Sequence, residues 1–153
     1  MIEVKMGQFV VLDQPEVITT GGVGSCMVVC LHVSANKIGG LAHVMLPKRP
    51  NPAAPIDDSQ HRYADVAIKL MVDQLTQLGA SPAQITAKIV GGANMFPGIQ
   101  GRSQKIGEKN IIAVKEVLGS LSISITAEET GGSHGRSVAF DLNTGIVTIK
   151  TTI

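Results

Sequence analysis

The sequence predicts a layered fold of strands and helices, with one mixed β-sheet or two packed β-sheets and two helices on one face. Short apolar or β-branched runs fill the first and last thirds of the 153-residue chain, and two amphipathic segments lie between them. This order, strand-rich, helix, strand, helix, strand-rich, suits an α/β layer architecture. No internal repeat and no linker divides the chain, so residues 1–153 are expected to form a single domain.

The first third of the chain predicts strands that are separated by turn residues. The expected strands are residues 8–12, 16–20 and 38–46. The second of these is expected to stop at Gly21. Residues 27–33 are apolar throughout, which fits a buried strand and two turns of buried helix equally well. The proline-rich stretch 48–55 predicts a surface loop.

Two helices are predicted in the middle of the chain. Between residues 62 and 78 apolar side chains recur every three or four positions, and Gly79 stands where a helix C-terminus favours glycine. The second helix is expected to begin near Ser103, a good N-terminal cap, and to run to Gly119. The remaining predicted elements are a strand at 85–90, a glycine-rich loop at 91–98, a strand at 123–128 and a hairpin at 138–151.

Composition and charge exclude several classes of function. With 13 Lys and Arg against 12 Asp and Glu, the net charge is +1, and aromatic residues are 3% of the chain. Nucleic acid is therefore not an expected partner, because its binding needs a basic excess or stacking side chains. No apolar run reaches the roughly 18 residues of a membrane span, so direct membrane insertion is not expected. The N-terminus does not resemble a secretory signal, and a cytoplasmic location is expected.

The most informative segment is residues 20–26, TGGVGSC, where three glycines precede a cysteine. Glycines allow a sharp turn with exposed backbone N–H groups, which can lower a thiol pKa and bind an oxyanion. Cys26 is therefore a candidate nucleophile, with Gly24 and Ser25 in the candidate oxyanion turn. The alternative is a small buried side chain, the usual place of a free cysteine. Cys30, inside an apolar run, fits that alternative better.

A thiol nucleophile needs a general base, usually an imidazole. His43 is the candidate, because it lies in an otherwise apolar predicted strand that a short turn would bring beside Cys26. The alternative is a core histidine that is satisfied by hydrogen bonds. His134 lies in a second glycine-rich loop and is the reserve candidate for substrate binding, whereas His32 and His61 are expected at the surface.

A zinc site is the other chemical interpretation of these side chains. Cys26, Cys30, His32 and His43 could supply four ligands, but their spacing does not match the short paired spacings of structural zinc sites. No metal and no cofactor are therefore predicted.

Four segments resemble, in the same order, the motifs of the CheD family of chemoreceptor glutamine deamidases. They are residues 20–26, 38–47, 91–96 and 130–136. The resemblance covers nearly the whole chain. It implies an α+β fold, a three-layer α/β/β sandwich with a mixed β-sheet and two main helices, which is shared with bacterial toxins that deamidate glutamine.

The resemblance also implies the residues and the reaction. The family's catalytic cysteine, histidine and threonine fall on Cys26, His43 and Thr20. Gly21 stands where the family usually has a bulky apolar residue, so a looser loop and a less fixed Thr20 are expected. The implied reaction is deamidation of glutamine to glutamate in methyl-accepting chemotaxis receptors through a thioester, with receptor methyl esters as further substrates.

The partners of the chain follow from the same resemblance, because CheD-family members bind a CheC-type phosphatase of the response regulator. Met95 and Phe96 either fill the core beneath their loop or anchor a partner on the surface. One competing hypothesis is a regulatory binding module for that phosphatase with little catalytic activity. A third is a redox switch in which Cys26 and Cys30 form a disulfide.

Overall fold

Two β-sheets and two α-helices make up the structure, and the helices pack on the larger sheet. The computed structural model describes residues 1–95 and 102–152, with side chains described from residue 106 onward in the second range. The strands are β1 (Ile2–Glu3), β2 (Phe9–Leu12), β3 (Val17–Val23), β4 (Met27–Val33), β5 (Ile38–Val44), β6 (Thr86–Gly91), β7 (Ser124–Thr130), β8 (Gly135–Asp141) and β9 (Val147–Thr152). The helices are α1 (Ala64–Gln77) and α2 (Arg102–Ser120), and short 3₁₀ turns occupy Asp58–Arg62 and Pro82–Gln84. Within these described ranges no helix combines the length and the apolar composition needed to cross a membrane.

Both sheets are mixed. The larger sheet has the strand order β2-β5-β4-β6-β7, and the smaller has the order β1-β3-β8-β9. Neighbouring strands run antiparallel except for the pairs β6–β7 and β1–β3, which are parallel.

Strand β4 lies at the centre of the fold, and both of its faces are buried. Met27, Val29 and Leu31 face the helices, whereas Val28 and Cys30 face the smaller sheet. A strand that is covered on both faces needs an apolar side chain at nearly every position, which explains the unbroken apolar run. Residues 27–33 therefore form a strand and not a helix.

The helices and the smaller sheet complete three layers. On α1 the buried side chains of Ile68, Met71 and Leu75 recur at helical spacing and pack on one face of the larger sheet. Ile18 and Phe140 of the smaller sheet pack on the other face. The order is helices, larger sheet, smaller sheet, so the predicted three-layer α/β/β sandwich is confirmed.

Several predicted boundaries are wrong. The hairpin predicted at 138–151 already begins at Gly135, and the strand predicted at 38–46 ends at Val44. Strand β3 does not stop at Gly21 but continues to Val23, because pairing of Val23 with Arg136 in β8 overrides the low strand preference of glycine. Ser103 is not the cap of the second helix, since α2 already begins at Arg102. Helix ends are set by local contacts that periodicity does not resolve. By contrast, Gly79 follows α1 with φ +103°, as the sequence predicts.

The backbone of β5 comes unusually close to its surroundings at Gly39. A Cβ atom at this position would lie 2.2 Å from the carbonyl oxygen of Leu31 and 2.9 Å from Cδ2 of Leu142. Leu31 belongs to the neighbouring strand, and Leu142 follows β8 of the smaller sheet. Only glycine lets these three segments pack at their observed separation.

We expect Gly39→Ala to lower the free energy of unfolding by about 1–3 kcal/mol, because the added methyl group must displace backbone. The matched control is Gly119→Ala in α2, where a Cβ would meet nothing within 4 Å. That substitution should stabilise the protein by up to about 1 kcal/mol through helix propensity. Urea unfolding of the two variants measures both effects. Equal stability of Gly39→Ala and the wild type would contradict the packing argument.

Candidate active site

A buried hydrogen bond joins the two sheets between Thr20 and His43. Thr20 lies on the inner face of β3 and His43 on the inner face of β5, with exposures of 3% and 0%. Thr20 Oγ1 and His43 Nδ1 are 2.7 Å apart. The other ring nitrogen, Nε2, is buried and makes no hydrogen bond to the described residues. The threonine therefore orients the ring and leaves Nε2 available.

A β-bulge follows Thr20 and leads the chain towards the larger sheet. Thr20 pairs with Val138 and Val23 pairs with Arg136, so three steps along β3 match two steps along β8. Gly22 accommodates the bulge with φ +65°, and Gly21 is exposed within it. The expectation that Gly21 loosens Thr20 is wrong, because the side chain of Thr20 is buried and bonded to His43.

Cys26 immediately precedes β4. In the β4–β5 ladder, Val28 pairs with His43. Cys26 is two residues before Val28, so its backbone lies diagonally opposite His43 at that end of the ladder. Its side chain is 8% exposed, and its thiol makes no hydrogen bond to His43 Nε2. The sheet register thus places the candidate nucleophile near the candidate base, but the thiol and the imidazole are not in hydrogen-bond contact.

The turn at residues 24–26 is held by its carbonyl groups. Its three carbonyls accept hydrogen bonds, in chain order, from Ala93 N–H at 3.0 Å, from Asn110 Nδ2 at 2.9 Å and from Gly92 N–H at 2.8 Å. Among the described residues, no backbone carbonyl accepts a hydrogen bond from the N–H groups of this turn, and the N–H of Cys26 interacts with its own thiol. The carbonyl oxygens of the turn are therefore occupied, and its backbone N–H groups make no hydrogen bond to the carbonyl of another described residue. Backbone N–H groups are the donors that stabilise an oxyanion.

The buried side chain of Arg136 fixes the two glycine-rich loops behind this turn. Its guanidinium donates to the carbonyl of Gly91 at 3.3 Å and to that of Gly131 at 2.9 Å, and it pairs with the Glu129 carboxylate at 3.2 Å. A Cβ on Gly91 would lie 2.2 Å from the carbonyl oxygen of Cys26. The loop can therefore support Cys26 only because glycine stands there.

Burial keeps both candidate catalytic groups neutral. It raises the pKa of the Cys26 thiol, an effect that the backbone N–H of the same residue partly opposes. It also lowers the pKa of His43 to about 4. At neutral pH the resting site therefore holds a thiol and an uncharged imidazole.

Comparison with known proteins gives a consistent family. The model of the family described as CheD chemotactic sensory transduction matches residues 45–151. The probable chemoreceptor glutamine deamidase CheD of Desulforamulus reducens is 40% identical, over 98% of this chain and 90% of that protein. The chain belongs to the CheD family. The chemoreceptor glutamine deamidase CheD of Thermotoga maritima is 39% identical, over 95% of this chain and 88% of that protein. The resemblance to CheD that the motifs indicate is therefore confirmed.

The remaining cysteine of this CheD-family chain lies away from the site. Cys30 is 1% exposed between the two sheets, and burial raises the pKa of its thiol. Four residues of extended chain separate the Cα atoms of Cys26 and Cys30 by about 13 Å, well beyond the roughly 7 Å limit for a disulfide. The redox-switch hypothesis would therefore require β4 to unfold.

The histidines outside the site differ from the sequence expectation in two cases. His61 is half-buried, and its ring contacts that of Phe9 edge-on. His32 is not a free surface residue: its Nε2 lies 2.8 Å from the carbonyl oxygen of Leu142, and its ring contacts Phe140 edge-on. Over the parts of the chain that the structure describes, no three His, Cys, Asp or Glu residues are grouped so as to hold a metal ion. His32 instead ties β4 to the end of β8.

Met95 borders the turn of residues 24–26 and is 39% exposed. A Cβ on Gly24 would lie 3.2 Å from Met95 Cγ, and one on Gly135 would lie 3.7 Å from Met95 Cε. His134 is exposed directly before Gly135, on the same side of the structure. Phe96, the other predicted partner residue, lies outside the described residues.

Sequence reasoning misses two residues that hold the turn, Asn110 and Arg136. Asn110 occupies an apolar-face position of the amphipathic helix α2 and is fully buried. Arg136 is a charged residue in a glycine-rich segment and is only 8% exposed. In each case the sequence does show a polar side chain among apolar or glycine residues. A polar side chain that is buried in such a place needs a specific hydrogen-bond partner.

The pKa of His43 predicts a pH-dependent stability. The ordinary pKa of 6.5 applies to the unfolded chain, whereas the folded value is about 4. Below pH 6.5 the unfolded chain binds a proton that the folded chain does not. The free energy of unfolding should therefore fall by about 3 kcal/mol as the pH drops from about 7 to about 4.

Urea unfolding over this pH range measures the effect. His43→Gln is the matched variant, and it should show a flatter pH dependence because the titrating imidazole is absent. Equal slopes for the wild type and His43→Gln would contradict the burial argument.

Proposed function

We propose that this chain is a chemoreceptor glutamine deamidase that hydrolyses the side-chain carboxamide of receptor glutamines with Cys26 as nucleophile. Family membership and the names of the relatives support the reaction and its substrate class. The observation that carries the mechanism is the buried Thr20–His43 hydrogen bond, which leaves Nε2 unpaired near the end of β5 that lies beside the turn before β4. We further propose that the chain acts in the cytoplasm on receptor cytoplasmic domains.

The first chemical step is attack by a neutral thiol with general-base assistance. His43 donates its Nδ1 proton to Thr20 Oγ1, so Nε2 carries the lone pair. As Cys26 Sγ attacks the carboxamide carbon, Nε2 takes the thiol proton. Because burial favours the uncharged forms of both groups, proton transfer accompanies attack and does not precede it.

The negative charge that develops on the carboxamide oxygen is stabilised by backbone donors. In the described structure no backbone carbonyl accepts a hydrogen bond from the N–H groups of Ser25 and Cys26, so both can turn to a substrate oxygen. Such donors are already oriented before the reaction, and removing one in other enzymes costs about 10²–10³ in rate. Gly24 contributes the absence of a side chain, which gives Met95 room beside the turn.

The remaining steps return the enzyme to its starting state. His43 gives its proton to the carboxamide nitrogen, the C–N bond breaks, and ammonia leaves a thioester on Cys26. His43 then takes a proton from water as the water oxygen attacks the thioester carbon. The C–S bond breaks, Cys26 recovers its proton, and glutamate is released. A glutamyl methyl ester can follow the same path with methanol as leaving group.

We expect Cys26→Ala to reduce deamidation of a receptor cytoplasmic fragment by at least about 10³-fold without unfolding the protein. Peptide mass spectrometry detects the reaction as a gain of about one dalton for each glutamine converted. The matched control is Cys30→Ala, which removes the other thiol from the buried seam between the sheets. Comparable loss of activity in both variants, with both folded, would rule out Cys26 as the nucleophile.

We also propose that the surface around Met95 binds a CheC-type phosphatase. Met95 is a large apolar side chain that stays 39% exposed beside the turn of residues 24–26. Exposed methionines that lie next to a functional cleft are typical anchors for a partner. The competing hypothesis, a binding module with little activity, would be favoured if the phosphatase binds and the folded wild type leaves receptor glutamines unchanged.

We expect Met95→Asp to weaken binding to the purified CheC-type phosphatase by at least about tenfold, because a charge would replace an apolar anchor. Ile112→Asp is the matched control, since Ile112 is 56% exposed on α2. Calorimetric titration measures the affinities, and thermal melting checks that both variants are folded. Unchanged binding by Met95→Asp, or equal loss in both variants, would contradict this surface.

A further inference from the structure

Asn110 bridges the two backbone segments that carry the candidate catalytic side chains. It is fully buried on α2, and its Nδ2 donates to the carbonyl of Ser25 at 2.9 Å and to that of Met45 at 3.0 Å. Ser25 directly precedes Cys26, and Met45 is two residues after His43. Among the described residues, no second donor reaches either carbonyl. One amide therefore ties the nucleophile turn to the histidine strand.

The hydrogen bond to Ser25 also sets the direction of the Cys26 N–H. The carbonyl of Ser25 and the N–H of Cys26 belong to one peptide unit. In a planar trans peptide these two groups point in opposite directions. Holding the carbonyl against α2 therefore turns the N–H of Cys26 away from the helix layer. This N–H interacts with the Cys26 thiol, whose pKa it lowers, so it lies beside the candidate nucleophile.

Core packing alone does not account for this amide. Its Oδ1 is buried and has no hydrogen-bond partner in the described structure. An unpaired buried acceptor costs about 1–3 kcal/mol, which an apolar side chain of the same size would avoid. Leucine has a similar size but could not make the two hydrogen bonds that Nδ2 of Asn110 donates. These hydrogen bonds are therefore what asparagine provides at this position.

We propose that Asn110 is a positioning residue for the reaction. Its hydrogen bond to the Ser25 carbonyl orients the Cys26 N–H towards the substrate oxyanion. This inference rests on the proposed cysteine mechanism. It assigns to a side chain of the helix layer control over a backbone donor beside the candidate nucleophile.

The test compares two reactions of the same thiol in Asn110→Leu. Glutamine deamidation develops an oxyanion and needs the N–H donor. Alkylation of Cys26 by iodoacetamide forms the S–C bond with loss of iodide, and it needs no oxyanion donor. Cys30 is buried between the sheets, so modification of the folded protein reports on Cys26. Peptide mass spectrometry identifies the modified cysteine.

We expect Asn110→Leu to lower kcat for deamidation by about 10–100-fold, with KM and the alkylation rate changed by less than about threefold. The control is Val114→Ala, one turn along α2 and also fully buried, which should destabilise the protein and leave kcat intact. If Asn110→Leu does not fold, Asn110→Ser removes the same paired donors with a smaller change in polarity, and it should show the same separation of rates.

Two results would overturn the proposal. An unchanged kcat in the folded variant would show that the Cys26 N–H does not depend on Asn110. A parallel loss of kcat and alkylation would show that Asn110 maintains the whole turn and does not aim one donor. Cys26→Ala separates these results from failure of the mechanism itself, because deamidation that survives Cys26→Ala disproves the nucleophile whatever Asn110 does.

Discussion

The structure depends on how the chain crosses from one sheet to the other between β3 and β4. Only residues 24–26 connect Val23 of the smaller sheet to Met27 of the larger sheet. Packed sheets lie about 10 Å apart, and such a connection spans at most roughly 13 Å. The segment is short for this distance, and the glycine bulge before it contributes to the change of direction. The candidate nucleophile stands at the end of this crossing, where both sheets limit its position.

The crossing explains why a buried Thr20–His43 hydrogen bond and a buried thiol occur together. The same gap between the sheets that packs Ile18 against Val28 also encloses the imidazole. Burial disfavours charge on both groups, so the protein stores a neutral pair and not an ion pair. A positive charge on the imidazole therefore needs a compensating negative charge nearby.

The sequence predicts the layers well and points to a compact set of candidate catalytic residues, because each depends on local patterns. Helical spacing reveals α1, and the glycine-rich segment before Cys26 marks the turn. The strand nature of residues 27–33 follows only from the packing of two layers, since a run buried on both faces has no periodicity. Asn110 and Arg136 act on carbonyls far away in the chain, and such contacts depend on tertiary structure that no local pattern records.

The anchoring of the turn has a further consequence for its response to the solvent. Two backbone N–H groups and one neutral amide hold the three carbonyls of residues 24–26. Mobile ions screen interactions between exposed charges over about 10 Å at 0.1 M salt, but they hardly affect buried dipoles. Ionic strength should therefore have little effect on the orientation of the N–H groups in this turn. Salt should affect the association with a receptor more than the chemical step that follows.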